Sequence, residues 1–182
     1  MARQKQETLD LLLKLQQQAQ SGDGILPAEE NTAPTWRGLA FRLGNNDLIS
    51  SIDQVSELVP IGMLTPIPGS VHWVRGIANV RGSLITVVDL SAWFGANLLR
   101  IDDESRMLVL NAPGLQTGIL VDQVYGLRQF DDDLPDDGVE KFAEFIRPYL
   151  LRSMRQGDRL WGVFDVSQLV NEERFLNIGL NV

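Results

Sequence analysis

The side chains able to do chemistry are few, and their spacing joins them into no reactive group. His72 is the single histidine and stands beside Trp73. It could act as a base or a ligand, but in that setting it reads as a partly covered loop residue. The acidic run DDDLPDDG, Asp131–Gly138, would need a glutamate eleven residues after Asp131 to close a calcium loop, and Phe142 stands there instead. It reads as a solvated acidic loop. Asp89 and Asp122 could form half of a hydrolytic carboxylate pair, since two acids need only converge in space. Nothing in the sequence selects a pair. Cysteine is absent, which removes disulfides, zinc thiolates and a thiol nucleophile. Phosphate-binding, nucleophile-elbow and dinucleotide motifs are absent as well. The expectation is a binding protein, with no catalytic residue, cofactor or metal.

The more informative stretch is VRGIANVRGSLITVVDLSAWFG, Val74–Gly95. It carries two Arg-Gly pairs, Arg75-Gly76 and Arg81-Gly82, ahead of an apolar run that ends on Asp89. Gly82-Ser83 is expected as a two-residue hairpin turn of type II′, with Gly82 at the first central position. Arg81 then sits at the rim, either solvated or meeting a partner. Leu84–Val88 is apolar on both faces, as in a strand covered from both sides. Asp89 is expected to cap a short helix. Asp165 should do the same, with Gln168 at the capping-box position. Replacing either acid with alanine should cost about 1 kcal/mol.

The elements that must hold these residues are mostly short strands. Leu39, Phe41 and Leu43 alternate, and GNN at Gly44–Asn46 turns the chain. Strands are expected at Leu48–Ile52, Gln54–Val59, Ile77–Val80, Leu84–Val88, Arg106–Leu110, Thr117–Asp122, Val124–Phe130, Leu150–Arg155 and Arg159–Phe164. Pro60, Pro66 and Pro68 mark a loop. Short helices are expected near Ser70–Val74, over Val139–Phe145 and over Ser167–Phe175. LITVVDLSAWF at Leu84–Phe94 lines up with LWGVFDVSQLV at Leu160–Val170, which points to two related halves. The regular turns imply a barrel or sandwich. Residues 1–34 read as an N-terminal helix around Leu9, Leu12 and Leu13, followed by a flexible linker. The globular body is expected over residues 35–182.

Acids exceed basic residues, 24 against 16, for a net charge of −8. That disfavours nucleic acid, which requires a basic surface. No stretch approaches the ~20 apolar residues of a membrane helix, and no signal-peptide pattern opens the chain. Cytoplasmic residence without membrane insertion is expected.

The segment Val74-Arg75-Gly76-Ile77-Ala78-Asn79-Val80-Arg81-Gly82, followed by Val87-Val88-Asp89-Leu90, resembles the core motif of the CheW-like domain family. FRLGNNDLISSIDQVSELV is similar to that family's first strands, with Val55 and Glu57 at its Val-x-Glu positions. GILVDQVYGL at Gly118–Leu127 also resembles it. The resemblance covers about Trp36 to Phe175. With the leader, WVRGIANVRG looks most like the PilI-type adaptors of type IV pilus (twitching motility) systems. The resemblance implies a mainly β fold of two intertwined SH3-like five-stranded barrels with a few short helices. It implies a non-catalytic adaptor joining a methyl-accepting chemotaxis receptor to a CheA-like histidine kinase, recruited to membrane-associated chemosensory arrays. The receptor-side positions it implies are Val55, Glu57, Gly76 and Arg81, with Gly76 leaving room for a receptor helix. An adaptor of another signalling pathway and, more remotely, a small-ligand barrel or enzyme are the alternatives.

Overall fold

A computed structural model describes residues 35–131 and 138–176, all within the unit Pro34–Val182. The expected leader helix and linker, and most of the acidic loop, lie outside the described residues. Among the described residues, alternating apolar positions fold into ten strands, arranged as two five-stranded sheets. The first runs β8 (Gln123–Asp131), β1 (Thr35–Leu43), β2 (Asn46–Ser51), β10 (Arg159–Phe164), β9 (Leu150–Gln156). The second runs β3 (Val55–Pro60), β6 (Arg106–Leu110), β7 (Thr117–Val121), β5 (Ser83–Asp89), β4 (Val74–Val80). The second sheet is thus built from one continuous stretch, and the first is assembled from the two stretches that flank it.

Strand periodicity explains why so many strands are apolar on both faces. Leu39, Phe41 and Leu43 of β1 enter a core shared between the sheets, with Phe164 from the first sheet and Val88, Leu108 and Ile119 from the second. Ala40 points the other way, into a core of the first sheet's own with Ile49, Phe130, Met154 and Trp161. In the second sheet, Ile85, Val87, Met107 and Leu120 form the matching private core. Each sheet curls round one core and packs its back on the other.

The internal repeat is a repeat in space. β4–β5 leads into α1 (Leu90–Trp93), and β9–β10 leads into α2 (Val166–Val170). β5 lies parallel to β7, and β10 lies parallel to β2. The Asp89 N–H donates to Trp73 O at 2.8 Å, and the Asp165 N–H donates to Tyr149 O at 2.8 Å. Trp93 of α1 anchors the shared core, with Tyr149 and Phe175 edge-on at 5.4 and 5.8 Å. Arg174, in α3 (Glu173–Leu176), lies 4.4 Å over the Trp93 ring and donates to its carbonyl.

Three expected helices are corrected. Val139–Phe145 holds only a 3-10 turn, Val139–Lys141, with a second at Arg147–Tyr149. The first turn ends where Phe142 becomes extended, at φ −90° and ψ 162°, and the Arg147 side chain donates to the carbonyls of Phe142 and Glu140 at 2.8 and 2.7 Å. Phe142, Ile146 and Tyr149 are still buried, so the helical spacing was real but is served by tighter turns. Ser70–Val74 is not a helix, because Val74 already pairs with Val88 in β4. Ser167–Phe175 breaks into α2 and α3 at Asn171. Gln54 also leaves the strand assigned to it, closing a 3-10 turn over Ile52–Gln54.

Candidate functional site

β3 and β4 are the two edges of the second sheet, so each has a ladder on one side only. The β4–β5 hairpin carries Arg81 to the rim. Val80 pairs with Ser83, which makes Arg81-Gly82 the two-residue loop rather than Gly82-Ser83. Arg81 has φ 50° and Gly82 has φ 90°. Positive φ at both central positions is the signature of a type I′ turn, not the expected II′. Arg81 is the one non-glycine residue at positive φ among the described residues. The Asn79 Oδ1 accepts from the Gly82 N–H at 2.9 Å and steadies the loop.

From that loop the Arg81 Nε reaches Glu57 Oε2 of β3 at 3.3 Å, spanning the two edges of the sheet. The Arg81 side chain is 81 % exposed and that of Glu57 30 %. The contact is an ion pair without hydrogen-bond geometry: Glu57 Oε2 is covered and takes no hydrogen bond among the described residues. Arg81 therefore keeps its guanidinium fork open to a visitor. Val55, at the start of β3, is half-buried against the shared core. A bulge between Val55 and Glu57 interrupts the pairing with β6 there. Beside Arg81, Val59, Pro60, Met63, Val80 and Met107 line a shallow cleft of ≈ 250 Å³.

Gly76 is buried and has φ 131°. A Cβ there would stand 2.3 Å from Thr65 O and 2.8 Å from Thr65 C. The backbone that crosses Gly76 belongs to this chain's own loop, pinned by reciprocal bonds between Thr65 and Ile77 at 2.9 and 2.8 Å. The expected room for an incoming helix is filled from within, because β4 receives the 61–67 loop on that face.

The other arginine of the two pairs is used differently from Arg81. Arg75 turns inward and meets Asp89 Oδ2 at 2.9 Å and Leu99 O at 3.1 Å. Asp89 is fully buried. Its Oδ1 caps α1 by accepting from the Ala92 N–H at 3.1 Å, and its Oδ2 accepts from the Leu99 N–H at 2.7 Å. A buried carboxylate is tolerable when paired and saturated in this way. Asp165 caps α2 through the Ser167 N–H at 2.9 Å. The carboxylate's other partner among the described residues is Gln54, whose Nε2 donates at 2.6 Å. Gln168 pairs with Asp165 only through its backbone N–H, which donates to the Asp165 carbonyl at 3.2 Å, and the Asp165 N–H goes to Tyr149 O in place of a capping-box glutamine. Asp122 accepts from the Gly44 N–H at 2.7 Å and holds the β1–β2 turn. The acids considered for catalysis serve as structural acceptors. His72 is an exposed turn residue, while Trp73 beside it stacks on Phe175.

Sequence reasoning missed Gln54 and the inward use of Arg75. The second arises at a bulge between Val74 and Gly76, where Arg75 is the extra residue opposite the end of β5, and strand alternation alone carries no signal for it.

Comparison with known proteins gives one family. A family model described as "CheW-like domain" matches residues 37–174. Protein PilI of Pseudomonas aeruginosa is 27% identical over 175 residues, spanning 96% of this chain and 98% of that protein. Chemotaxis protein CheW of Thermotoga maritima is 30% identical over 101 residues, 54% of this chain and 64% of its own. Among solved structures, the scaffolding protein TtCheW from Thermoanaerobacter tengcongensis superposes with a TM-score of 0.63 at 22% identity, over 72% of this chain and 90% of that one. That last likeness is one of fold.

Proposed function

The chain belongs to the CheW-like domain family, and from that premise we propose that it couples a methyl-accepting receptor to a CheA-like histidine kinase in a type IV pilus system. It is a scaffold of chemosensory systems, not an enzyme. The observation that carries the pilus assignment is the end-to-end match to PilI, which spans nearly the whole of both chains. The shorter match to a chemotaxis CheW supports the same adaptor role in another pathway as the second reading. No helix among the described residues is long and apolar enough to cross a membrane. The adaptor would work in the cytoplasm, recruited to arrays through its receptor.

Val55, Glu57, Gly76 and Arg81 are the proposed receptor-side positions, with unequal parts. Arg81 would meet the receptor directly, its fork available for a carboxylate or for helix-end carbonyls. Glu57 would aim it. Val55 would supply apolar area beside the bulge. Gly76 would act from beneath, by letting the Thr65 loop close over β4.

Arg81→Glu should weaken binding of a receptor hairpin-tip fragment by roughly 1–3 kcal/mol, from a lost charge-assisted contact and like-charge repulsion against a receptor carboxylate. Isothermal titration reads this directly. Unchanged affinity with a native circular dichroism spectrum would refute the docking site. Deleting the gene should abolish surface twitching and spare swimming. Loss of swimming taxis instead would favour the second reading.

A further inference from the structure

The chain crosses from the first sheet to the second through the turn Ile52–Gln54, none of whose residues is buried. Side-chain packing therefore does not fix the crossover. β3, which follows at once, is an edge strand that pairs only with β6 and starts with a bulge. Val55 packs half-buried on the shared core and the Asn111 Nδ2 donates to Asp53 O at 2.8 Å, but the tie from the crossover to the first half must come from elsewhere.

Gln54 supplies the missing constraint. Its Oε1 accepts from Ser50 Oγ at 2.9 Å and from the Val166 N–H at 3.2 Å. Its Nε2 donates to Asp165 Oδ1 at 2.6 Å and to Ser167 Oγ at 3.2 Å. The backbone Gln54 O accepts from the Asn111 N–H at 2.9 Å, at the end of β6. One residue is thus bonded to β2 and α2 of the first half and to β6 of the second. The amide can sit only one way round. Reversed, its NH2 would face the Val166 N–H and its oxygen would face the Asp165 carboxylate. The bond to Asp165 is charge-assisted and short, the strong kind.

We infer that Gln54 is a positioning residue: it anchors the start of β3 to the N-terminus of α2 and so places Val55 and Glu57 for docking. The docking part rests on the function proposed above; the anchoring part does not. In the other half, the second oxygen of Asp89 is occupied by Arg75 and the Leu99 N–H. The two capping acids are alike in sequence but differently used, and only Asp165 reaches the crossover.

The test is Gln54→Met, which keeps the length of the side chain and removes its four bonds. Hydrogen exchange followed by mass spectrometry is read over residues 55–60 and, as an internal control, over 83–89. Anchoring predicts that exchange over 55–60 accelerates by about 10-fold or more while 83–89 stays as in the wild type. It also predicts that a receptor hairpin-tip fragment binds about 10-fold more weakly. Unchanged exchange over 55–60 in folded protein overturns the inference. So does full receptor affinity, provided the wild type binds. If the wild type itself fails to bind, the functional reading falls and the exchange comparison alone decides the anchor. Should Gln54→Met not fold, Asp165→Ala removes the acceptor of the shortest bond. It must then loosen 55–60 selectively, and exchange at the wild-type rate there overturns the inference equally.

Discussion

Asp89→Ala should destabilise this protein far more than a lost helix cap does. The cap to the Ala92 N–H accounts for about 1 kcal/mol. The Leu99 N–H, bonded to Oδ2 at 2.7 Å in a buried setting, would be left without its acceptor for about another 1–3 kcal/mol. Arg75 would lose its carboxylate at 2.9 Å, with its own side chain only 23 % exposed. Breaking a buried pair costs roughly 3–5 kcal/mol, and the partial access of Arg75 to water places this one at or below the lower end. The contributions share one carboxylate and do not add freely, so the expected loss is about 4 kcal/mol. Asp165→Ala, at the equivalent place in the repeat, removes one cap and one amide partner and should cost about 1–2 kcal/mol. Urea unfolding of the two variants and the wild type, with slopes checked for equality, measures both. Asp89→Asn separates charge from shape. Equal losses in the two alanine variants, within about 0.5 kcal/mol, would refute the argument that the Arg75 pair and the Leu99 bond carry weight.

Further outcomes follow from other residues. Gly76→Ala forces a Cβ against Thr65 O at φ 131° and should cost about 3 kcal/mol or more, seen as a large drop in the unfolding midpoint. Arg81→Gly relieves a non-glycine residue at φ 50° and should leave stability unchanged or raised by up to about 1 kcal/mol. The same change should weaken receptor binding, so the two measurements move in opposite directions. Burial first, and then the bond to Glu172, push the Tyr149 hydroxyl from its usual 10.0 up to about 12. The folded state then holds a proton the unfolded chain has released, so this contribution is full below pH 10 and is lost as pH rises through about 12. Tyr149→Phe should flatten that alkaline decline in the urea midpoint.

Much of the fold was legible because it is written in local alternation. Leu39, Phe41 and Leu43 face one core with Ala40 facing another; of the strand expected to be covered on both faces, Ile85, Val87 and Val88 are buried, while Leu84 at the hairpin end is exposed. The repeat around Asp89 and Asp165 was legible for the same reason: both acids end a strand and start a helix. What escaped depends on partners distant in the chain. Gln54 meets Asp165 across 111 positions, and no periodicity encodes that pairing. The Val139–Phe145 helix failed because the backbone turns extended at Phe142, at φ −90° and ψ 162°, and Arg147 ties down the carbonyls of Phe142 and Glu140 there, contacts that spacing does not reveal. At the candidate site, Arg81 was visible as a rim residue. That Gly76 lies under Thr65 was not, since a buried glycine and an open one look alike in sequence.

The nesting of the sheets bears on how the chain matures during synthesis. β1 and β2 emerge from the ribosome first, but β8, β9 and β10 come last, after all of β3–β7. The inner sheet can therefore close while translation continues, and the outer hairpin waits with Ile49 uncovered, since its partners Phe130, Met154 and Trp161 all come later. Joining the outer strands is a contact between distant parts of the chain, slow on topological grounds. Nascent chains stalled beyond residue 121 should hold a protected centre and a sticky front end, the stage at which a holding chaperone has most to do.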